Sequence, residues 1–174
     1  MTIDDKFAEL VKSNVGCVVI LAGSGSDKPH IDKIVGGLEK YGIPYEVRVC
    51  SAHNQSEEVP KVIKEYDDLE GALGYVAVAG GSDALSGTAS FRSLRVVISC
   101  PPDNPNSSAL TNPPGSSNAY IARAENVGRF FAQMFSDINQ SYRHALVSEV
   151  NRKISALEND DNKLRTQYAQ KQGR

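Results

Sequence analysis

Three short segments carry the residue types best suited to chemistry. Gly23-Ser24-Gly25-Ser26-Asp27 lies between an apolar run and a helical pattern. It offers backbone N–H groups and the Ser24 and Ser26 hydroxyls at a helix start, which suits a phosphate. It is neither a dinucleotide fingerprint, since the third glycine would fall on Lys28, nor a Walker loop, since the Gly-Lys-Ser/Thr ending is missing. Asp27 is either an N-cap or an acceptor for ribose hydroxyls. In the second segment, Ser51-Ala52-His53-Asn54, His53 is either a surface residue or a proton carrier, for which an ordinary imidazole pKa of about 6.5 is suited. The third, Ala79-Gly80-Gly81-Ser82 with Asp83 and Leu85 behind it, is either a helix-initiating turn or a backbone surface that a ligand can approach closely.

Each segment follows an apolar, strand-like run. Val15–Ala22, Tyr45–Val49 and Gly74–Val78 read as strands, with a fourth over Arg95–Ser99 and a fifth around Asn118–Arg123. Helical spacing appears between them: Ile31, Ile34, Val35 and Leu38 before Gly42, then a helix from about Glu57 to Leu69. Asp103–Gly115 reads as loop with one helical turn, and Val127, Phe130, Phe131, Met134 and Phe135 mark an amphipathic helix. Strands alternating with helices imply an α/β fold, a three-layer αβα sandwich around a parallel, flavodoxin-like sheet. Ligands of such sheets bind at the carboxyl ends of the strands, so the three segments converge if their strands are neighbours. The chain divides into an α/β domain over 1–136 and a C-terminal helical extension over 137–174. In the extension Ile138, Tyr142, Leu146, Val150, Ile154 and Leu157 recur at about four-residue intervals. That stripe must be buried on its own domain or on another subunit, and packing on a neighbouring subunit is the expectation.

The bulk properties exclude several classes. The chain has 174 residues, 40% hydrophobic and 23% charged, with net charge −2, so no positive field attracts nucleic acid or an anionic membrane. No apolar run is long enough to span a bilayer, and Met1–Ser13 lacks the order of a signal peptide. Cys17, Cys50 and Cys100 are odd in number and widely spaced, which points to reduced, buried thiols in a cytoplasmic protein. No His, Cys, Asp or Glu cluster has metal-ligand spacing, and His30 and His144 read as solvated helix residues.

In this order the segments resemble the phosphoribosylaminoimidazole carboxylase family, which includes CO2-using carboxylases and carboxyaminoimidazole ribonucleotide mutases. The marks are Gly23-Ser24-x-Ser26-Asp27, Gly42 to Val49 (GIPYEVRV), Ser51-Ala52-His53, Ala79-Gly80 and Pro113–Gly115. Gly81-Ser82-Asp83-Ala84-Leu85 is similar to the carboxylase branch, and Ala84 stands where mutases carry a histidine. Ile98 to Pro102 (ISCPP) is also similar to that branch. The resemblance implies that residues 1–136 form a nucleotide-binding catalytic domain. It implies that His53 is catalytic, shuttling the proton at C4 of 5-aminoimidazole ribonucleotide (AIR) as CO2 adds to give 4-carboxy-5-aminoimidazole ribonucleotide (CAIR). Ser24, Ser26, Asp27, Ser51, Ala52, Asn54, Gly80, Gly81, Ser82 and Leu85 would bind substrate, with AIR and CO2 as the small-molecule partners, no metal and no organic cofactor, in a homo-octamer. Alternatives are the mutase, which makes the same product, and a non-catalytic nucleotide-binding paralogue. Three positions depart from the family pattern: Asn54 replaces an Arg or Lys, Gly81 replaces the carboxylase-type Arg, and Leu110-Thr111-Asn112-Pro113 replaces a Met-Pro pair.

Overall fold

The computed structural model describes residues 3–173. Five parallel strands, β1 (Cys17–Ala22), β2 (Tyr45–Val49), β3 (Leu73–Val78), β4 (Val96–Ser99) and β5 (Asn118–Tyr120), form one sheet in the order β2-β1-β3-β4-β5. β1 and β3 are buried along their whole length, which is why both read as unbroken apolar runs rather than alternating ones. Alternate residues of β1 feed two separate cores. Val18, Ile20 and Ala22 pack with α2 (Lys28–Glu39) and α5 (Val127–Met134), and Cys17, Val19 and Leu21 with α1 (Asp5–Lys12), α3 (Glu58–Asp67) and α4 (Ala84–Arg92). This is the expected three-layer sandwich.

The strand and helix assignments hold, with ends that differ by a few residues. β5 stops at Tyr120 rather than Arg123, and β4 begins at Val96. Arg95 instead points its guanidinium at the carbonyls of Gly71 and Leu69, at 2.7 and 3.0 Å. α1 was not expected from the periodicity, because the segment is short and mostly charged. Its signal is Asp4, whose carboxylate accepts from the Phe7 N–H at 2.9 Å, followed by Phe7 and Val11 on one buried face. On the other side, α2 and α5 meet through glycines: a Cβ on Gly128 would collide with the Gly37 carbonyl oxygen.

The extension is one helix, α6 (Gln140–Lys171), continuing through the polar stretch after Asn159. Its stripe divides. Tyr142 and Leu146 pack on the α2–α5 core, and the Tyr142 hydroxyl donates to the Gly16 carbonyl at 2.9 Å. Val150, Ile154 and Leu157 are exposed.

The dividing point is Glu149, 5% exposed, whose carboxylate accepts from Tyr41 and Lys40, from Arg129 at 3.0 Å and is met by Lys153 at 3.1 Å. Burial alone would raise its pKa, but the bonds from Lys40, Tyr41 and Lys153 outweigh it and hold the carboxyl well below the usual range. A folded-state pKa below the unfolded value stabilises above the unfolded pKa of roughly 4.3 and loses that contribution as pH falls through the folded value. Glu149→Gln should therefore cost about 1–3 kcal/mol at neutral pH in urea melts, with a deficit that shrinks below pH of about 4. An equal deficit at both pH values would rule out the charged network as the anchor.

Candidate active site

Because β2, β1 and β3 are adjacent, the segments that follow them open on the same edge of the sheet. Continuing main-chain bonds carry the alignment past the strand ends: Gly23 N–H donates to the Val78 carbonyl, and Cys50 N–H to that of Ala22, both at 2.8 Å. Between the segments lies a cleft of about 240 Å³ lined by Gly23, Ser24, Asp27, Ser51, Ala52, His53, Ala79, Gly80, Ser82 and Leu85. Eight of the residues expected at a site, from Ser24 to Leu85, line it. Ser26, Asn54 and Gly81 stand just outside, and Gly23 and Ala79 join it as backbone neighbours of the expected residues.

The first segment folds into a short 3₁₀ turn, Gly25–Asp27, running into α2. Ser24 caps that turn: its hydroxyl accepts from the Ser26 N–H at 3.2 Å and lies 2.8 Å from the Ser26 hydroxyl. Asp27 occupies the N-cap position of α2, yet its side chain makes no capping bond, so the carboxylate borders the cleft uncommitted. On the second segment Ser51 Oγ accepts from the Asn54 N–H at 3.2 Å and the Ser51 carbonyl from Gln55 at 2.8 Å. This compact turn presents His53, solvent-exposed, at the cleft wall.

The third segment is held from behind. Asp83, 3% exposed, caps α4 by accepting from the Ser86 N–H at 2.9 Å, and its other oxygen accepts from the Ser99 hydroxyl at 2.7 Å. Both polar groups of the Gly81 peptide are already engaged. Its N–H donates to Asp103 at 2.8 Å, and its carbonyl accepts from Asn106 and Ser108 at 3.0 and 3.1 Å. Bonds from the Asn106 amide and the Gly81 N–H hold the Asp103 carboxyl below its ordinary pKa. Sequence reasoning treated Asp103–Gly115 as a connecting loop and missed this brace. Asp83 directly before the helical Ala84 was the one legible signal, as an N-cap.

Electrostatically the cleft carries one carboxylate, that of Asp27, and no lysine or arginine is among its lining residues. Lys28 is paired with Asp32 at 2.7 Å, and Arg92 lies at the far end of α4, over the Phe91 ring. Arg48 is directed at Tyr66 and Glu65. His30 corrects the surface reading: it is half-buried and its Nε2 donates to the Cys100 carbonyl at 3.1 Å, whereas His144 is exposed. The cysteines are free and buried, and burial pushes the Cys17 and Cys100 thiols up to about 12, so neither supplies a thiolate nucleophile.

The strand order and the cleft at the carboxyl ends of β1–β3 define a flavodoxin-like α/β protein with its site at the topological switch point. The family model for AIR carboxylase matches residues 17–155, and the chain belongs to that family. It is 33% identical over 154 residues to the phosphoribosylaminoimidazole carboxylase of Treponema denticola, covering 85% of this chain and 97% of the relative. The Archaeoglobus fulgidus enzyme of the same name is 31% identical over 153 residues, 84% of each chain. The human bifunctional phosphoribosylaminoimidazole carboxylase/succinocarboxamide synthetase is 34% identical over 163 residues, 90% of this chain and 38% of the relative. The crystal structure of Treponema denticola PurE superposes with a TM-score of 0.81, covering 86% of this chain and 98% of that one. Among the described residues no helix is long and apolar enough to cross a membrane.

Asp83→Ala should destabilise the protein by about 1–3 kcal/mol in urea melts, because the Ser99 hydroxyl and the α4 N-terminus lose their buried acceptor. Asp83→Asn, which keeps one carbonyl oxygen, should recover part of that loss. Wild-type stability in the alanine variant would contradict the bracing role.

Proposed function

We propose that this protein is a CO2-using AIR carboxylase of purine biosynthesis, interconverting AIR plus CO2 with CAIR. The observation that carries the reading is the placement of His53 on the same cleft as Ser24, Asp27 and Ser51, in a chain of the AIR carboxylase family. AIR is an enamine-like nucleophile at C4. As C4 attacks CO2 a carbon–carbon bond forms, and the C4 hydrogen must then leave to restore the aromatic ring. His53 takes that proton, and returns it in the reverse direction. Ser24 and Ser51, with the backbone donors of the Gly23–Asp27 turn, hold the 5′-phosphate. Asp27, free of any capping duty, accepts from the ribose hydroxyls. Gly80, Ser82 and Leu85 close over the base and the CO2, whose weak binding makes positioning beside the nucleophile the main source of rate. Ser26, Ala52, Asn54 and Gly81 complete the surround from just behind the contact surface or along it.

The carboxylase reading is favoured over the mutase by Ala84, the first residue of α4, which stands where mutases carry a histidine. The same reading places the enzyme in the cytoplasm as a homo-octamer of a catalytic unit, residues 1–136, and a helical extension, residues 137–174, which beyond its first turns on the chain's own core packs on a neighbouring subunit. Exposed Val150, Ile154 and Leu157 on α6 support that last point.

Purified protein should consume AIR in a CO2-dependent manner, and His53→Asn should lower the rate by about 10²–10⁴-fold. Conversion of carboxyaminoimidazole ribonucleotide alone would make it a mutase. No turnover of either, with AIR still raising the melting temperature, would make it a binding protein. Asn54→Arg should lower KM for AIR by roughly tenfold or more, since a charge-assisted bond to phosphate is worth about 1.5–3 kcal/mol. An unchanged KM would place the phosphate away from Asn54.

A further inference from the structure

Beyond Glu149 the helix α6 leaves the body of the protein. Residues 150–171 are exposed throughout and extend for roughly 33 Å at a rise of about 1.5 Å per residue. A solitary polar helix is marginal in water and needs a packed face to persist. The large apolar side chains it exposes are Val147, Val150, Ile154, Leu157, Leu164 and Tyr168, with Leu157 70% exposed. Their spacing is three, four, three, then seven and four, which is a heptad seam with one member replaced: Asp161 occupies the skipped position. Written as heptads, the a positions are Val147, Ile154, Asp161 and Tyr168, and the d positions Val150, Leu157 and Leu164. β-Branched residues at a with leucine at d favour two strands, and a single polar residue at a sets register.

The flanking charges choose the partner. In a parallel pair the g residue of one strand faces the next e residue of the other. Here Lys153 meets Glu158 of the second strand, and Asp160 meets Arg165, both attractive and both repeated by symmetry. Asp161 falls opposite its own copy, flanked by Arg165, which already reaches it along the helix at 3.7 Å. An antiparallel pairing in the register that faces Ile154 with Leu157 would set the Asp161 carboxylate against Val150. We propose that residues 147–171 form a parallel, in-register, two-stranded coiled coil with α6 of a second copy of this chain. The seam runs past residue 155, where the match to the family model ends, so Leu157, Leu164, Tyr168 and the Asp160–Arg165 pair lie beyond that match, while Lys153 lies within it. The proposal is independent of the catalytic reading.

The test is disulfide trapping in the full chain. The native cysteines are buried, so Leu157→Cys and, separately, Leu164→Cys each add an exposed thiol. Under mild oxidation both variants should give covalent dimers, because like d residues face each other only in a parallel, in-register pair. Arg165→Glu in the Leu164→Cys background should slow trapping several-fold, and adding Asp160→Lys should restore it. Absence of cross-linking in both cysteine variants would overturn the proposal. So would cross-linking only in a protein carrying both Ile154→Cys and Leu157→Cys, the antiparallel outcome, or trapping insensitive to the Arg165 reversal.

Discussion

The pairing of β1 with β2 on one side and β3 on the other brings together segments that are otherwise far apart in sequence. In a parallel sheet every strand ends at the same edge, and the returns from β1 to β2, β2 to β3 and β3 to β4 pass over a face through α2, α3 and α4. Ala22 aligned with Val49 and with Val78 therefore places the three following turns side by side. A slip of one residue at either ladder would exchange the β1 residues that feed the two cores as well as displace His53 from Ser24, so the packing that stabilises the fold also fixes the site's geometry.

Around that edge the protein uses two kinds of support. The Gly23–Asp27 and Ser51–Asn54 turns are braced internally, by the Ser24 and Ser51 hydroxyls acting on their own backbones. The Gly80–Leu85 segment is braced from outside, by buried Asp83 on Ser99 and by Asp103, Asn106 and Ser108 on Gly81. Gly81 has a positive φ of 67°, and with its N–H and carbonyl both satisfied by the later loop it serves as a joint between segments. Movement of this segment over a ligand must carry the 103–108 loop with it or break those bonds.

Much of this was legible from the chain itself. Continuous apolar runs ending in small polar turns located the central strands, and the Ser-Ala-His turn located the histidine. What was not legible depended on partners distant in sequence. Asp103 and Asn106 look like ordinary loop residues until the fold sets them against Gly81, and Glu149 looks like one more charge on a polar helix until Lys40, Tyr41 and Arg129 converge on it. Asp27 was undecided between cap and ligand, since both use the same carboxylate and only the absence of a capping bond separates them. α1 was hidden by its brevity and charge, and by a burial restricted to Phe7 and Val11.

The composition of the cleft wall also bears on which metabolites occupy it. Under the proposed reading, one carboxylate and no lining cation leave a single phosphate to be held by neutral donors, with nothing gained from further negative charge. Nucleoside di- and triphosphates carry extra anionic groups that would lie near Asp27 without compensation, and repulsion in a partly desolvated cleft is stronger than in bulk water. Under that reading, weak attraction for phosphate, which costs affinity for a monophosphate ligand, would act as a filter against polyphosphorylated nucleotides.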